Sequence, residues 1–282
     1  MNTIFKISGT LIFFCFILLG CSTSKPKTNA DVNKNTYVIE TEFGDMTIKL
    51  FDATPKHRDN FKKLVADTFY NGTLFHRIIP GFMIQGGDPT SKNATAGQQL
   101  GSGNISYTIE AEFVDSLIHK KGALAAARQG DNVNPKKNSS GSQFYIVQGA
   151  AVQKSSLTRV EQNINAGRKR ALASVVFEDS LNSGLKANFL RARTNNQKDS
   201  ASYYGNLLEE KLSAAMVGKE FKYSEKQIAL YDSLGGTPHL DGGYTVFGEV
   251  VSGMNIIDSI ANAKKDGGNR PLEDIKMIIK KL

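Results

Sequence analysis

The sequence predicts a mainly β fold with helices: a closed antiparallel barrel whose open ends are plugged by two short helices, plus an inserted helical lobe. Three observations predict it. β-type segments fill residues 36–148 and return within 238–282. Between them lies an 89-residue block, 149–237, with helical spacing almost throughout and few strand signals. Only two short segments outside that block have helical periodicity, the number needed to cover the two ends of a small barrel. At 282 residues, 40% hydrophobic and 22% charged, the chain can build a core without staples. It also has more apolar content than a disordered chain.

The first 20 residues read as an export signal. Lys6 precedes the one long apolar run, 11–19, and small Gly20 stands before Cys21. That run is shorter than the ~18–20 residues a membrane-spanning helix requires. Leu18-Leu19-Gly20-Cys21 resembles the lipobox of bacterial lipoproteins, in which the signal is cut before a lipidated cysteine. An ordinary signal peptide cut a few residues later is the competing reading. The resemblance implies an acylated Cys21 inserted in a lipid bilayer and a cell-envelope location, facing the periplasm. Cys15 leaves with the signal, so the mature chain keeps one cysteine and forms no internal disulfide. Residues 22–35 are polar and complete a lipidated tether, 21–35, ahead of the folded part.

The folded part opens with β-rich segments at 36–42 and 46–51 around Gly44-Asp45, a hairpin pattern. Thr54 offers an N-cap oxygen and Pro55 suits the first helical position, where its missing N–H is no loss. Phe61, Leu64, Val65 and Phe69 follow at helical spacing. A strand-like stretch, 74–85, is broken by Pro80-Gly81 and closed by Gly86-Gly87. Further strands are expected near 107–109, 123–127 and 143–147. Within the helical block the last element is well marked: Ser224 and Gln227 form a capping box, Tyr223 can staple to Ile228, and Gly235 stops the helix. A strand at 244–251, a helix at 254–263 and a terminal strand alternating Ile275, Met277 and Ile279 complete the chain.

Familiar catalytic arrangements are missing from the sequence. His57, His76, His119 and His239 stand far apart with no i, i+4 pair and no cysteine partners, so no metal site is expected. There is no G-x-S-x-G elbow and no P-loop. What stands out is Phe75-His76-Arg77-Ile78-Ile79-Pro80-Gly81-Phe82-Met83-Ile84-Gln85-Gly86-Gly87-Asp88, followed by Ser142-Gln143-Phe144-Tyr145-Ile146 and Leu240-Asp241-Gly242-Gly243-Tyr244-Thr245-Val246-Phe247-Gly248. In that order these segments resemble the three signatures of the cyclophilins, peptidyl-prolyl cis/trans isomerases. The resemblance covers 36–148 and 238–282 and leaves 149–237 as an insertion.

The resemblance implies a cyclophilin-like barrel, prolyl isomerisation with no cofactor or metal, and proline-containing polypeptides as partners. Arg77 would be the catalytic guanidinium, and Gln85 would steady it and bond the substrate backbone. Phe82, Met83, Tyr145 and Leu240 match the apolar pocket for the proline ring. Met83 and Gln85 lie two apart, as do Gln143 and Tyr145, so each pair shares one strand face and can line one groove. Ala127, Arg128 and Gln129 match the segment that bonds the peptide backbone. Four positions depart from common members of the family. Tyr145 replaces a phenylalanine and puts a hydroxyl at the pocket, Tyr244 replaces a histidine, Arg128 replaces an asparagine, and His239 replaces a tryptophan. His76 is expected to be structural, since turning a bond transfers no proton.

Removing residues 1–20 takes Lys6 and no acid, leaving 34 basic against 27 acidic side chains, net +7. The charges are scattered, with no run longer than Arg168-Lys169-Arg170, which argues against a nucleic-acid partner. A module from another class, one that holds proline-containing segments through the inserted lobe without turnover, is the rival reading.

Overall fold

The computed structural model describes residues 34–282. The leader and Cys21 lie outside the described residues, as does most of the tether. Ten strands are described: β1 (Thr36–Thr41), β2 (Gly44–Leu50), β3 (Phe75–Ile79), β4 (Met83–Gly86), β5 (Thr108–Ile109), β6 (Ala123–Ala126), β7 (Ser139–Ser140), β8 (Phe144–Val147), β9 (Val246–Ser252) and β10 (Ile278–Lys281). The helices are α1 (Pro55–Ala66), α2 (Lys154–Glu178), α3 (Ser183–Thr194), α4 (Lys198–Met216), α5 (Glu225–Leu234) and α6 (Met254–Ala261). Eight strands form one curled antiparallel sheet in the order β10-β1-β2-β9-β6-β8-β4-β3, and β5 pairs with β7 apart from it.

The expected closed barrel is corrected here, because the regular ladder stops at β3 and β10. The chain just before β10 crosses the seam instead. Gly72 and Phe75 donate to the carbonyls of Met277 and Ile275, and Met277 donates to Thr73. The N–H of Leu74, between these residues, turns to the Ser91 hydroxyl at 3.0 Å. From Ile278 the same segment pairs with β1, so it serves first one edge and then the other. Neither ladder is extended into full closure.

Period-two alternation sorts the side chains. Ile39, Ile48, Ile84, Leu124, Ile146 and Ile279 point into the curl and meet Phe61, Leu64 and Val65 of α1 and Ile257 and Ile260 of α6 in one buried core. Met83, Ala125, Tyr145 and Val147 point to the outer face, where Leu240 and Val246 join them in a second cluster. This is why β6 and β8 are buried at every position. The outer cluster is the floor of the candidate site.

Strand β3 breaks the alternation, and function depends on the break. Its register against β4 slips between Phe75 and Arg77, so His76 is the extra residue of a bulge. Phe75 and Ile78, three apart, therefore both reach the inner core. Arg77 is left on the outer side, where it lines a pocket with Met83 and Tyr145.

Helix α1 starts at Pro55, but Thr54 makes no side-chain cap, a correction to the sequence expectation. The cap is a remote carboxylate. Glu112 accepts from the backbone N–H groups of Lys56 (3.1 Å) and His57 (3.0 Å), which satisfies two of the helix's orphan donors. At α5 the capping box of Ser224 and Gln227 is present, and the helix ends at Gly235 with φ +74°. Tyr223 and Ile228 pack in a third cluster with Ile118, Leu157 and Tyr231, between α2, α5 and the sheet's approach loop. The two ends of the helical segment meet at a pair of glycines. Gly236 donates to the Ala150 carbonyl at 2.9 Å, and a Cβ added to Gly149 would lie 2.5 Å from the Gly236 Cα.

Candidate active site

Arg77, Phe82, Met83, Gln85, Ala127, Arg128, Tyr145, Leu240 and Tyr244 line one pocket of about 110 Å³. All were singled out from the sequence; Gln143 and Gln129, also named there, line the neighbouring cleft instead. Each arrives by a different local device. The Pro80-Gly81 turn, with Gly81 at φ +74°, folds β4 back on β3 and sets Phe82 at the rim. Cross-strand register then places Arg77 opposite Gln85, and Gln85 opposite Tyr145. Leu240 comes from a short 3₁₀ turn, Pro238–Leu240, directly after the helical segment.

The guanidinium is held by a chain of amides whose polarity admits one arrangement. Arg77 can only donate, and its Nη1 reaches Gln85 Oε1 at 3.1 Å. The Gln85 amide nitrogen therefore faces Gln143 and donates to its Oε1 at 3.1 Å. Gln143 Nε2 in turn donates to the carbonyls of Gly101 (3.0 Å) and Gly103 (2.6 Å). Two backbone carbonyls thus orient an arginine through two side-chain amides. Gln143 stands behind Gln85, and it lines a neighbouring cleft of about 390 Å³ together with Gly101, Gly103, Ala127 and Asn138.

Asp88 sets the geometry of the loop that supplies those carbonyls. It accepts from the Thr90 N–H and hydroxyl and from the backbone N–H groups of Gly101 (2.6 Å) and Gly103 (3.1 Å). Burial works against its charged form, but these donors outweigh burial and hold its carboxyl below the usual range.

The departures noted in the sequence acquire definite partners. The Tyr145 hydroxyl lies 3.0 Å from His119 Nε2, so it is engaged inside the protein. Burial raises its pKa well above the ordinary value. The Arg128 side chain donates to the carbonyls of Gly243 (2.7 Å) and Gln129 (2.8 Å), pairs with Asp131 and covers the Tyr244 ring at 4.4 Å. Its charge is spent on bracing the pocket's Tyr244 wall. His239 rests on the Phe82 ring, with centroids 5.5 Å apart. His76 is buried beneath Gly101, and neither ring nitrogen has a hydrogen-bond partner among the described residues.

Sequence reasoning missed His119 and Asp241 as supports of this pocket. It also missed Tyr223 and Tyr231, whose hydroxyls each reach Asp241 Oδ2 at 2.5 Å. No spacing signal could have found these partners, which stand 10, 18 and 122 residues from Asp241 along the chain.

Comparison with known proteins decides the family. The model for cyclophilin type peptidyl-prolyl cis-trans isomerase/CLD matches residues 36–171 and 186–281. The chain belongs to that family. A peptidyl-prolyl cis-trans isomerase relative from Staphylococcus aureus strain USA300 is 30% identical over 253 residues, 89% of this chain and 93% of the relative. One from Staphylococcus saprophyticus is 28% identical over 90% of this chain and 95% of its own length. A relative from Streptococcus pyogenes, named as a bifunctional phosphatase/peptidyl-prolyl cis-trans isomerase, is 32% identical, and the match covers 36% of that longer protein. A solved cyclophilin type isomerase from Cryptosporidium parvum aligns at TM-score 0.48 and 21% identity over 87% of this chain and 97% of its own. As an isomerase of this family the protein acts on proline-containing polypeptides.

Proposed function

We propose that this isomerase works in the bacterial cell envelope on exported, folding polypeptides, with Arg77 as the group that stabilises the twisted prolyl amide. Rotation about an X–Pro bond is opposed by ~18–20 kcal/mol because the amide must lose conjugation. At the midpoint the prolyl nitrogen is pyramidal and carries a lone pair that the planar forms lack. A guanidinium aimed at that nitrogen favours the midpoint over either ground state, and every ~1.36 kcal/mol of that preference is tenfold in rate. No bond breaks, so the scheme calls for no nucleophile, metal or cofactor. Phe82, Met83, Tyr145 and Leu240 would seat the pyrrolidine, Gln85 would bond the substrate backbone, and Ala127 and Arg128 would meet the flanking peptide. The observation that carries this reading is the amide chain fixing Arg77 at the rim of an apolar pocket. The test is isomerisation of a short X–Pro peptide by the chain starting at Ser22. Arg77→Ala should cost at least about a hundredfold in kcat/KM, equivalent to a lost charge-assisted contact of about 3 kcal/mol, and an equally fast variant refutes the assignment.

The envelope location rests on the leader and on Cys21. Anchoring is assigned to acylation of Cys21 from the Leu18-Leu19-Gly20-Cys21 motif; among the described residues no helix is long and apolar enough to cross a membrane. Changing Cys21 to serine should move the protein from the membrane fraction to the soluble one, and unchanged partitioning would refute acyl anchoring. A second role is favoured by one feature of 149–237, read as an insertion: Val175 (65%), Leu181 (89%), Tyr203 (61%) and Val217 (74%) stand exposed on it. Exposed apolar side chains of this kind would suit holding unfolded clients. Suppression of client aggregation that survives Arg77→Ala but is lost on deleting 149–237 would establish it.

A further inference from the structure

We infer that Tyr223 and Tyr231 are positioning residues for the proline pocket, acting through Asp241 and His119 on Tyr145. The inference rests on the pocket assignment above and concerns residues of the helical segment that never touch the groove.

The connection is continuous and buried. Asp241 Oδ2 accepts the hydroxyls of Tyr223 and Tyr231, each at 2.5 Å. Its Oδ1 lies 2.8 Å from the His119 N–H and 2.7 Å from His119 Nδ1. A carboxylate acceptor at Nδ1 selects the tautomer with the proton on that nitrogen, which leaves Nε2 as an acceptor. The Tyr145 hydroxyl, 3.0 Å from Nε2, is then the donor, and its hydrogen points at His119 rather than at the groove. All five side chains are buried. The Tyr145 ring also lies nearly parallel to His119, with centroids 6.0 Å apart and planes 14° from parallel.

Two pocket side chains hang on this relay. Tyr145 is its last member, and Leu240 is the chain neighbour of Asp241. Tyr231 lies on α5 and Tyr223 just before it, so the placement of α5 determines where Asp241 sits. A carboxylate with every lone-pair site occupied has no slack, and a ring tied to it cannot swing into or out of the pyrrolidine seat. An ordinary structural staple would hold α5 to the sheet without ending on a pocket wall. The relay also gives Tyr145 a use for the hydroxyl that a phenylalanine would lack.

The experiment is a double-mutant cycle on a short X–Pro peptide, with kcat and KM measured separately. Tyr223→Phe combined with Tyr231→Phe should raise KM about three- to tenfold with kcat kept, since Arg77 is untouched. Tyr145→Phe should raise KM to a similar extent, and the triple variant should be no worse than Tyr145→Phe alone. The inference is overturned by an unmoved KM in the double variant, or by the tyrosine changes costing the same factor in the Tyr145→Phe background. Should the double variant fail to fold, Tyr223→Phe alone carries the same cycle, because Tyr231 still holds Asp241. Arg77→Ala is run alongside. A slow Arg77→Ala with an additive cycle sinks only this relay, whereas an Arg77→Ala as fast as the parent sinks the pocket assignment and the relay with it.

Discussion

Acid should unfold this protein in part through His76. The ring is the bulged residue of β3, 3% exposed, with both nitrogens unpartnered among the described residues. Burial is the main cause of its pKa falling from 6.5 to about 4; Asp88 and the nearby Leu74 backbone, which makes no hydrogen bond of good geometry to the ring, oppose the fall, and Arg77 and Arg270 add to it. A histidine held neutral by the fold keeps its full contribution above pH 6.5, the unfolded value, and loses it as pH drops toward 4. At ~1.36 kcal/mol for each pH unit between those two values, linkage gives a loss of about 2 kcal/mol by pH 5 and about 3 kcal/mol by pH 4. Urea unfolding at pH 7 and pH 5, for the parent and for His76→Phe, isolates the effect. Burial also lowers the pKa values of His57 and His239, but those groups titrate in both proteins and cancel in the comparison. The variant should lose about 2 kcal/mol less than the parent over that pH step. An equal loss in the two proteins would refute the reasoning, whatever the absolute stability of the variant.

Two further substitutions test the supports of the site. Gly149→Ala should cost at least about 2 kcal/mol of unfolding free energy, because it adds a backbone clash at the foot of the helical segment to a left-handed conformation. Gly72→Ala, at φ +81° but with open space around it, is the control and should cost only about 1 kcal/mol. Gln143→Leu cuts the amide chain behind Gln85 and should lower kcat/KM about tenfold with Tm little changed; an unaltered rate would mean Arg77 is oriented by other means.

Elements with local causes are legible along the chain. Ile275, Met277 and Ile279 alternate into the core, the Ser224–Gln227 box starts α5, and Met83 and Gln85 share one pocket-facing side of β4. Each of these depends on contacts within about four residues, where periodicity and capping act. Other features come only from packing between distant segments. A bulge at His76 turned Arg77 out of the core, a carboxylate 55 residues beyond His57 capped α1 in place of Thr54, and the sheet curled without its ladder closing. Packing also joined Tyr145, through His119 and Asp241, to two tyrosines of the helical segment. Buried donors and acceptors must find partners wherever packing brings them, and which ones meet is settled by how the layers stack rather than by any spacing along the chain.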